Sequence, residues 1–232
     1  MSRAGAATGV GFDIDHTIVI DNKLERVAFL RLLETIVNDG GRVPENLNDE
    51  IARIDALLDA QRRNAFTIDE AVRRFAEACG VAPRDSYVEQ FRTMAVAMVA
   101  DFVIPLPGAR AAFADLRGRG VATAILSNGW NPLQVEKARR AGFDGPVLVS
   151  AELGVQKPDR RAFDVLLDAL GTDAGRTWYV GDDPHCDVEG ARDAGLRAIW
   201  LDAEGRGYPA GAAAPACTIH SLAEIAGCIS TR

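Results

Sequence analysis

The sequence predicts an α/β protein with a doubly wound parallel sheet into which a bundle of four helices is inserted. From residue 102 onward, short apolar runs typical of buried strands alternate with amphipathic helical segments, and this alternation favours a parallel sheet. Residues 23–100 instead contain four successive helical segments without a strand-like run. The apolar run Val10-Gly11-Phe12 precedes these helices and supplies the first strand of the sheet.

The predicted domains follow from this order of elements. Residues 1–21 and 101–232 form the core, and residues 22–100 form the inserted helical domain. Apolar spacing, glycine stops and a capping-box spacing predict its helices over residues 23–39, 47–64, 67–79 and 84–100. After the insertion, the predicted strands are residues 121–126, 147–149, 177–180, 198–201 and 217–219.

The composition limits the classes of partner. The chain has 232 residues and a net charge of −7, which argues against a general binder of nucleic acids or anionic membranes. No apolar run is long enough to span a bilayer, and the first residues lack the apolar segment of a signal peptide. Four cysteines without CxxC spacing favour reduced thiols. We therefore expect a cytoplasmic monomer or homodimer.

The most informative local pattern is the pair of acids Asp13 and Asp15 at the end of the first strand. Side chains two residues apart on an extended chain point the same way, so the two carboxylates converge on one volume and repel each other. A bound Mg²⁺ would relieve this repulsion, or one carboxylate would stay protonated and act as an acid. Taken alone, the pair also fits an Asx-turn or a solvated strand end.

Later strand ends bear on the same place, because open parallel sheets bind ligands at the carboxyl ends of their strands. Ser127-Asn128-Gly129 combines a hydroxyl with a tight turn, which suits an anion but is also ordinary turn chemistry. Lys157 is one of three lysines among 26 basic residues and would fit between two oxyanions, although taken alone it better fits a solvated side chain before a helix. Three acids follow the fourth strand and suit Mg²⁺: Asp182, Asp183 and Asp187.

These four strand ends resemble the motifs of the haloacid dehalogenase (HAD) superfamily of hydrolases, which occur in the same order. The resemblance extends from Gly11 to about Ile225 and includes Pro107-Gly108 and residues 187–195. It implies a Rossmann-like core of the HAD type. The inserted helices are similar to the C1 cap of this family, a small bundle that closes over the active site.

The resemblance also implies a function, a Mg²⁺-dependent phosphatase acting on a small phosphorylated metabolite. Asp13 would be the nucleophile that forms an aspartyl-phosphate, and Asp15 would protonate the leaving oxygen and then activate water. Lys157 would offset the charge shared by Asp13 and the phosphate. The residues implied to hold phosphate are Thr17, Ser127, Asn128 and Gly129. Those implied to hold Mg²⁺ are Asp13, Asp15 through its backbone carbonyl, and Asp182, with Asp183 or Asp187 acting directly or through water.

Other functions share parts of this pattern. A phosphosugar mutase such as beta-phosphoglucomutase would have the same core residues and differ in its cap. A 2-haloacid dehalogenase is disfavoured because such enzymes carry no acid at the position of Asp15. A phospho-accepting signalling module is disfavoured because receiver domains are shorter, lack a cap and place the acceptor on a later strand. His16 stands where many relatives have glycine, and the sequence assigns no role in specificity to His16, Trp130, Arg62 or Arg63.

Overall fold

A computed structural model describes residues 8–63 and 65–229 of the chain. These residues divide into two compact units. One unit comprises residues 8–20 and 104–229, and the other comprises residues 21–63 and 65–103.

The first unit is built on a six-stranded sheet in which every neighbouring pair is parallel. Its strands are β1 (Gly9–Phe12), β4 (Ala122–Ser127), β5 (Val147–Val149), β6 (Thr177–Gly181), β7 (Arg197–Leu201) and β8 (Cys217–Ile219), where β2 and β3 are the two short strands described below. The order across the sheet is β5-β4-β1-β6-β7-β8. The predicted α/β class and all six predicted strands are confirmed.

β1 lies in the middle of this sheet, and the order of the strands reverses there. Phe12 pairs with Ile125 of β4 on one side and with Val180 of β6 on the other. Val10 and Phe12 are completely buried, as expected for a strand covered on both faces. The residues that follow β1 therefore lie at a topological switch point, where sheets of this kind bind ligands.

Helices follow most strands of the first unit. They are α6 (Ala109–Gly118), α7 (Leu133–Ala141), α8 (Ser150–Leu153), α9 (Arg160–Leu170), α10 (Gly190–Asp193) and α11 (Ile225–Ile229), with shorter turns at Ala174–Arg176, Pro184–Glu189 and Leu222–Glu224. The turn Pro184–Glu189 is π-helical and continues into α10. Across the part of the chain that the structure describes, no helix combines the length and the apolar character needed to cross a bilayer.

The second unit consists of helices. They are α1 (Leu24–Asn38), α2 (Leu47–Arg62), α3 (Ile68–Ala78), α4 (Asp85–Ala97) and α5 (Val99–Phe102). Phe29 of α1 packs against Phe75 of α3 and Phe91 of α4, with ring centroids 5.1 Å and 4.5 Å apart. Where the sequence predicts one helix over residues 84–100, the structure has two, α4 and α5. No glycine or proline in the sequence marks the break between them.

A two-stranded ribbon joins the elements on either side of the helical unit. It pairs β2 (Val19–Asp21) with β3 (Val103–Pro105). Beyond its two ends, the Leu106 N–H donates to the Ile18 carbonyl at 2.9 Å and the Asn22 N–H donates to the Phe102 carbonyl at 3.1 Å. The sequence did not predict this ribbon, because strands of three residues are too short to show an alternating pattern.

The structure corrects the expectation of reduced thiols for two of the four cysteines. Cys217 and Cys228 form a disulfide, with their Cα atoms 6.2 Å apart, which is within the span of such a bond. The turn after β8 brings the C-terminal helix back beside the strand, and sequence spacing alone does not show this. Cys79 and Cys186 are free thiols. Because two of the four cysteines are paired, the cysteines no longer support a cytoplasmic location. The cytoplasmic location stays a prediction.

Candidate active site

Asp13 directly follows β1 and lies at the carboxyl edge of the sheet. Its backbone N–H donates to the carbonyl of Val180 on β6 at 2.9 Å, so the pairing of the strands fixes its position. The residue is 8% exposed. Its carboxylate Oδ1 accepts a hydrogen bond of 2.6 Å from Lys157 Nζ.

The ammonium group of Lys157 has three buried partners. It donates to Asp13, to Asp187 Oδ1 at 2.7 Å and to the Tyr179 hydroxyl at 2.9 Å. Tyr179 in turn donates to the carbonyl of Leu126 at 2.6 Å. Burial disfavours the charge of Lys157, but the carboxylates of Asp13 and Asp187 outweigh it and raise the pKa of Lys157 well above its ordinary value. Lys157 is therefore a permanent cation between two acids.

Three carboxylates gather at this edge of the sheet. Asp13, Asp182 and Asp187 each offer one oxygen atom, and these atoms lie within 4.8 Å of one another. Burial is the main cause that raises the pKa of Asp13 to about 7, with Lys157 opposing it and neighbouring acids adding to it. Burial and then the charge of Asp13 raise the pKa of Asp182 to about 6. Crowded oxygen donors of this kind fit a hard divalent cation such as Mg²⁺.

Asp15 has separate surroundings. Its Oδ1 accepts a hydrogen bond of 2.8 Å from Lys137 Nζ, and its Oδ2 accepts one of 3.0 Å from Gln134 Nε2. Burial alone would raise the pKa of Asp15, but the charge of Lys137 and the hydrogen bonds from both side chains lower it below its ordinary value. The two neighbouring acids therefore have different basic partners, Lys157 for Asp13 and Lys137 for Asp15.

The residues at the end of β4, which we expect to hold phosphate, have partners within the protein. Ser127 ends the strand and is 1% exposed. The side chain of Asn128 forms two hydrogen bonds of 2.9 Å with the backbone of Lys157, so it orients the lysine. The N–H of Gly129 donates to Ser150 Oγ at 3.0 Å. This N–H is therefore already engaged, and Ser127 is the side chain of the three that suits an anion.

Two further predicted residues have roles within the protein. The hydroxyl of Thr17 is buried and donates to Asp182 Oδ1 at 3.4 Å, so it orients an acid of the cluster. Asp183 Oδ1 accepts the N–H groups of His185 at 2.8 Å and Cys186 at 2.7 Å. Asp183 thus caps the π-helical turn, and its expected part in holding a metal, directly or through water, stays a prediction.

Four polar residues at the site were not found from the sequence: Gln134, Lys137, Tyr179 and Arg206. Gln134 and Lys137 lie on α7 and are each 3% exposed. Arg206 contacts Asp182 Oδ2 at 3.4 Å from a loop. The scarcity of lysine was the one available signal, because it marks Lys137 as much as Lys157.

The residues without an assigned role are placed as follows. His16 is exposed and has a left-handed backbone with a φ of 60°. Trp130 is 3% exposed. Arg62 is exposed and forms an ion pair of 3.4 Å with Asp59, and Arg63 is also exposed.

This geometry, with an acid pair after the central strand and a lysine between two acids, agrees with the match to a family of hydrolases. A family model described as haloacid dehalogenase-like hydrolase matches residues 7–195. The chain belongs to the haloacid dehalogenase-like hydrolase family, and the resemblance predicted from the four strand ends is confirmed.

Individual relatives match parts of the chain. The phosphoserine phosphatase of Thermus thermophilus is 46% identical over 99 residues, which are 41% of this chain and 40% of the relative. The pyrimidine 5′-nucleotidase YjjG of Escherichia coli is 37% identical over 132 residues, 55% of this chain and 57% of the relative. The matched segments therefore span about half of the length of these two relatives. One similar solved structure is the HAD-hydrolase YfnB from Bacillus subtilis bound to magnesium, with a TM-score of 0.69 and 20% identity. The superposition covers 97% of this chain and 99% of the YfnB chain. At this identity the similarity bears on the fold alone.

Proposed function

We propose that the protein is a Mg²⁺-dependent phosphatase that hydrolyses a small phosphomonoester through an aspartyl-phosphate on Asp13. The observation that carries this proposal is the separation of the two acids: Asp13 pairs with Lys157 at 2.6 Å, and Asp15 pairs with Lys137 at 2.8 Å. A nucleophile and a proton-transfer group need such different environments. The names of the two relatives, a phosphoserine phosphatase and a 5′-nucleotidase, support the same reaction class.

The proposed reaction has two half-reactions. In the first, a carboxylate oxygen of Asp13 attacks phosphorus, the bond from phosphorus to the leaving oxygen breaks, and Asp15 donates a proton to that oxygen to give an alcohol. In the second, Asp15 takes a proton from water as the water attacks phosphorus. The bond between phosphorus and Asp13 then breaks, which releases inorganic phosphate, restores the carboxylate of Asp13 and leaves Asp15 protonated, as it was at the start.

The charges at the site support these roles. The lowered pKa of Asp15 keeps its side chain deprotonated, which is the form that the base of the second half-reaction needs. The anionic phosphoryl group of a bound substrate would raise this pKa, which suits the acid of the first half-reaction. Lys157 bonds Asp13 Oδ1, so its charge lies where negative charge develops as the phosphoryl group is transferred.

Mg²⁺ would be held by the carboxylates of Asp13 and Asp182 and by the backbone carbonyl of Asp15. Asp187 would support these ligands through Lys157, because its two oxygens accept from Lys157 Nζ at 2.7 Å and from the Asp183 N–H at 3.0 Å. When bound, the ion supplies neutralising charge for the phosphoryl group and the acids. We also propose that residues 22–100 form the cap of this family and select the substrate.

The test is phosphate release from a panel of phosphomonoesters that includes phosphoserine, pyrimidine 5′-nucleotides and sugar phosphates, with Mg²⁺ and with EDTA. We expect release by the wild type with Mg²⁺, a loss of at least about 1000-fold in Asp13→Asn, and full activity in Asp168→Asn, a control at an exposed acid. Turnover of no panel member, or an active Asp13→Asn variant, would contradict the proposal. An isomerised sugar phosphate without free phosphate would instead favour a mutase.

A further inference from the structure

We propose that Gln134 and Lys137 are positioning residues of the phosphatase site, with Gln134 directing the hydroxyl of Ser127 and both residues fixing the carboxylate of Asp15. The proposal rests on the proposed function. Both side chains project from α7 and are 3% exposed, so neither is a solvated surface group. Each reaches Asp15, which is 122 and 119 residues distant in sequence from Lys137 and Gln134, respectively.

The amide of Gln134 has its orientation fixed by its neighbours. Its Nε2 lies 3.0 Å from Asp15 Oδ2, 3.0 Å from Ser127 Oγ and 3.4 Å from the carbonyl of Asn128. A flipped amide would place Oε1 against a carboxylate and a carbonyl, which cannot donate. The amide nitrogen therefore donates one hydrogen to Asp15 and one to Ser127.

This arrangement decides where the hydroxyl of Ser127 points. A serine hydroxyl has a single hydrogen, and its oxygen already accepts from Gln134. The amide hydrogen of Gln134 occupies one side of this oxygen, so the hydroxyl hydrogen of Ser127 points away from Gln134. With Gln134 in place, the hydrogen of Ser127 is available to a phosphate oxygen.

Gln134 also has an unfavourable feature that function explains. Its Oε1 is buried and is without a hydrogen-bond partner among the described residues. A buried acceptor of this kind costs stability. An apolar side chain of equal length would avoid the cost, so packing alone does not account for glutamine at this position.

Gly129 provides the space for this side chain. A Cβ at residue 129 would lie 2.6 Å from Gln134 Nε2 and 2.8 Å from its Cγ. The backbone of Gly129 does not have a positive φ, so alanine there would introduce a clash without backbone strain. Gly129→Ala is therefore a second way to displace Gln134.

The first experiment separates position from stability with Gln134→Met, which removes the donor and the unpartnered Oε1 together. We expect an unchanged or higher melting temperature, kcat lower by about 10- to 100-fold, and phosphate bound about 10-fold more weakly in calorimetry with Mg²⁺. Gln134→Glu should lose at least as much kcat, because a second acid would face Asp15. Gly129→Ala should weaken phosphate binding similarly, and it should add nothing in a Gln134→Ala background.

The second experiment is a double-mutant cycle on phosphate affinity. If Gln134 acts through Ser127, Gln134→Met has no further effect in a Ser127→Ala background. Lys137→Met should lower kcat, because Asp15 loses the cation that holds it, and Lys137→Arg should recover part of kcat. Arg139→Met, at an exposed residue of the same helix, is the control.

The inference is overturned if Gln134→Met keeps wild-type kcat and phosphate affinity, if its effect is equal in both backgrounds of the cycle, or if the wild type binds no phosphate with Mg²⁺. A common fall in melting temperature across all variants would also overturn it. The affinity cycle needs no turnover. A wild type that binds phosphate but hydrolyses no phosphomonoester therefore refutes the proposed function alone.

Discussion

The side-chain amide of Asn128 holds the backbone of Lys157 by two hydrogen bonds of 2.9 Å, one from each end of the amide. This pairing joins the strand end of β4 to the residue that carries the ammonium group between Asp13 and Asp187. The position of Lys157 therefore depends on a residue 29 positions earlier in the chain.

Asn128→Asp tests this dependence. The carboxylate keeps an acceptor for the Lys157 N–H but places an oxygen against the Lys157 carbonyl, which has no hydrogen to donate. We expect kcat/KM to fall by at least about 10-fold and the free energy of unfolding to fall by about 1–3 kcal/mol. Asn48→Asp, at an exposed asparagine of α2, should leave both unchanged. Equal activity of the two variants would show that the pairing does not position Lys157.

A second prediction concerns the space beside Asp187. A Cβ at Gly181 would lie 2.2 Å from Asp187 Oδ2, so Gly181→Ala must displace this carboxylate from Lys157. We expect kcat/KM to fall by about 100-fold and Mg²⁺ to bind more weakly in calorimetry. Gly175→Ala is the matched control, because a Cβ there has no heavy atom within 4 Å. Normal Mg²⁺ affinity in Gly181→Ala would rule out a supporting role for Asp187.

The raised pKa values of Asp13, about 7, and Asp182, about 6, predict how Mg²⁺ binding depends on pH. Between about pH 4 and pH 7 the folded protein holds more protons than the unfolded chain, so without metal these groups contribute less stability as pH rises. Mg²⁺ binds the deprotonated acids. Its apparent affinity should therefore rise with pH through this range, by about tenfold per pH unit for each proton displaced.

The measurement is the shift in melting temperature between EDTA and Mg²⁺ from pH 5.5 to pH 8. We expect a small shift at the acidic end and a larger one above pH 7. Asp182→Asn should reduce the shift at all pH values, because it removes a proposed ligand. A shift of the same size across the whole range would mean that neither acid takes part.

The backbone of His16 gives a prediction about stability. Its φ of 60° is a conformation that glycine adopts without strain. His16→Gly should leave the free energy of unfolding equal or raise it by up to about 1 kcal/mol, and His16→Val should lower it by at least about 1 kcal/mol. Denaturant unfolding of both variants decides this. A strongly destabilised His16→Gly would mean that the imidazole packs.

Much of the arrangement at the sheet edge was predictable, because parallel strands place their carboxyl ends together. This rule alone brings Asp13 of the first strand near Asp182 and Asp187 after the fourth, and the structure has them together. The scarcity of lysine and the place of Lys157 after a strand drew attention to this residue, but its role came only from the resemblance to the family. The alternating pattern was likewise enough for the six strands of the sheet.

The residues that escaped prediction did so for physical reasons. Gln134 and Lys137 reach the site from a helix, and a helix of polar composition does not show which of its faces is buried. Asp183 is adjacent to Asp182, and only the turn that follows shows that its carboxylate caps backbone N–H groups. The pairing of Cys217 required the position of the C-terminal helix.

The ribbon of β2 and β3 has a consequence for how the protein is assembled. The chain leaves and re-enters the core through two paired strands, and every residue of the candidate site comes from before residue 21 or after residue 103. Two such strands can be joined by a turn of about two to five residues. The ribbon is therefore a place where the inserted segment can change without changing the order of the strands in the six-stranded sheet. Helical inserts of different length can be exchanged there during evolution, and a short turn can replace the insert in the laboratory.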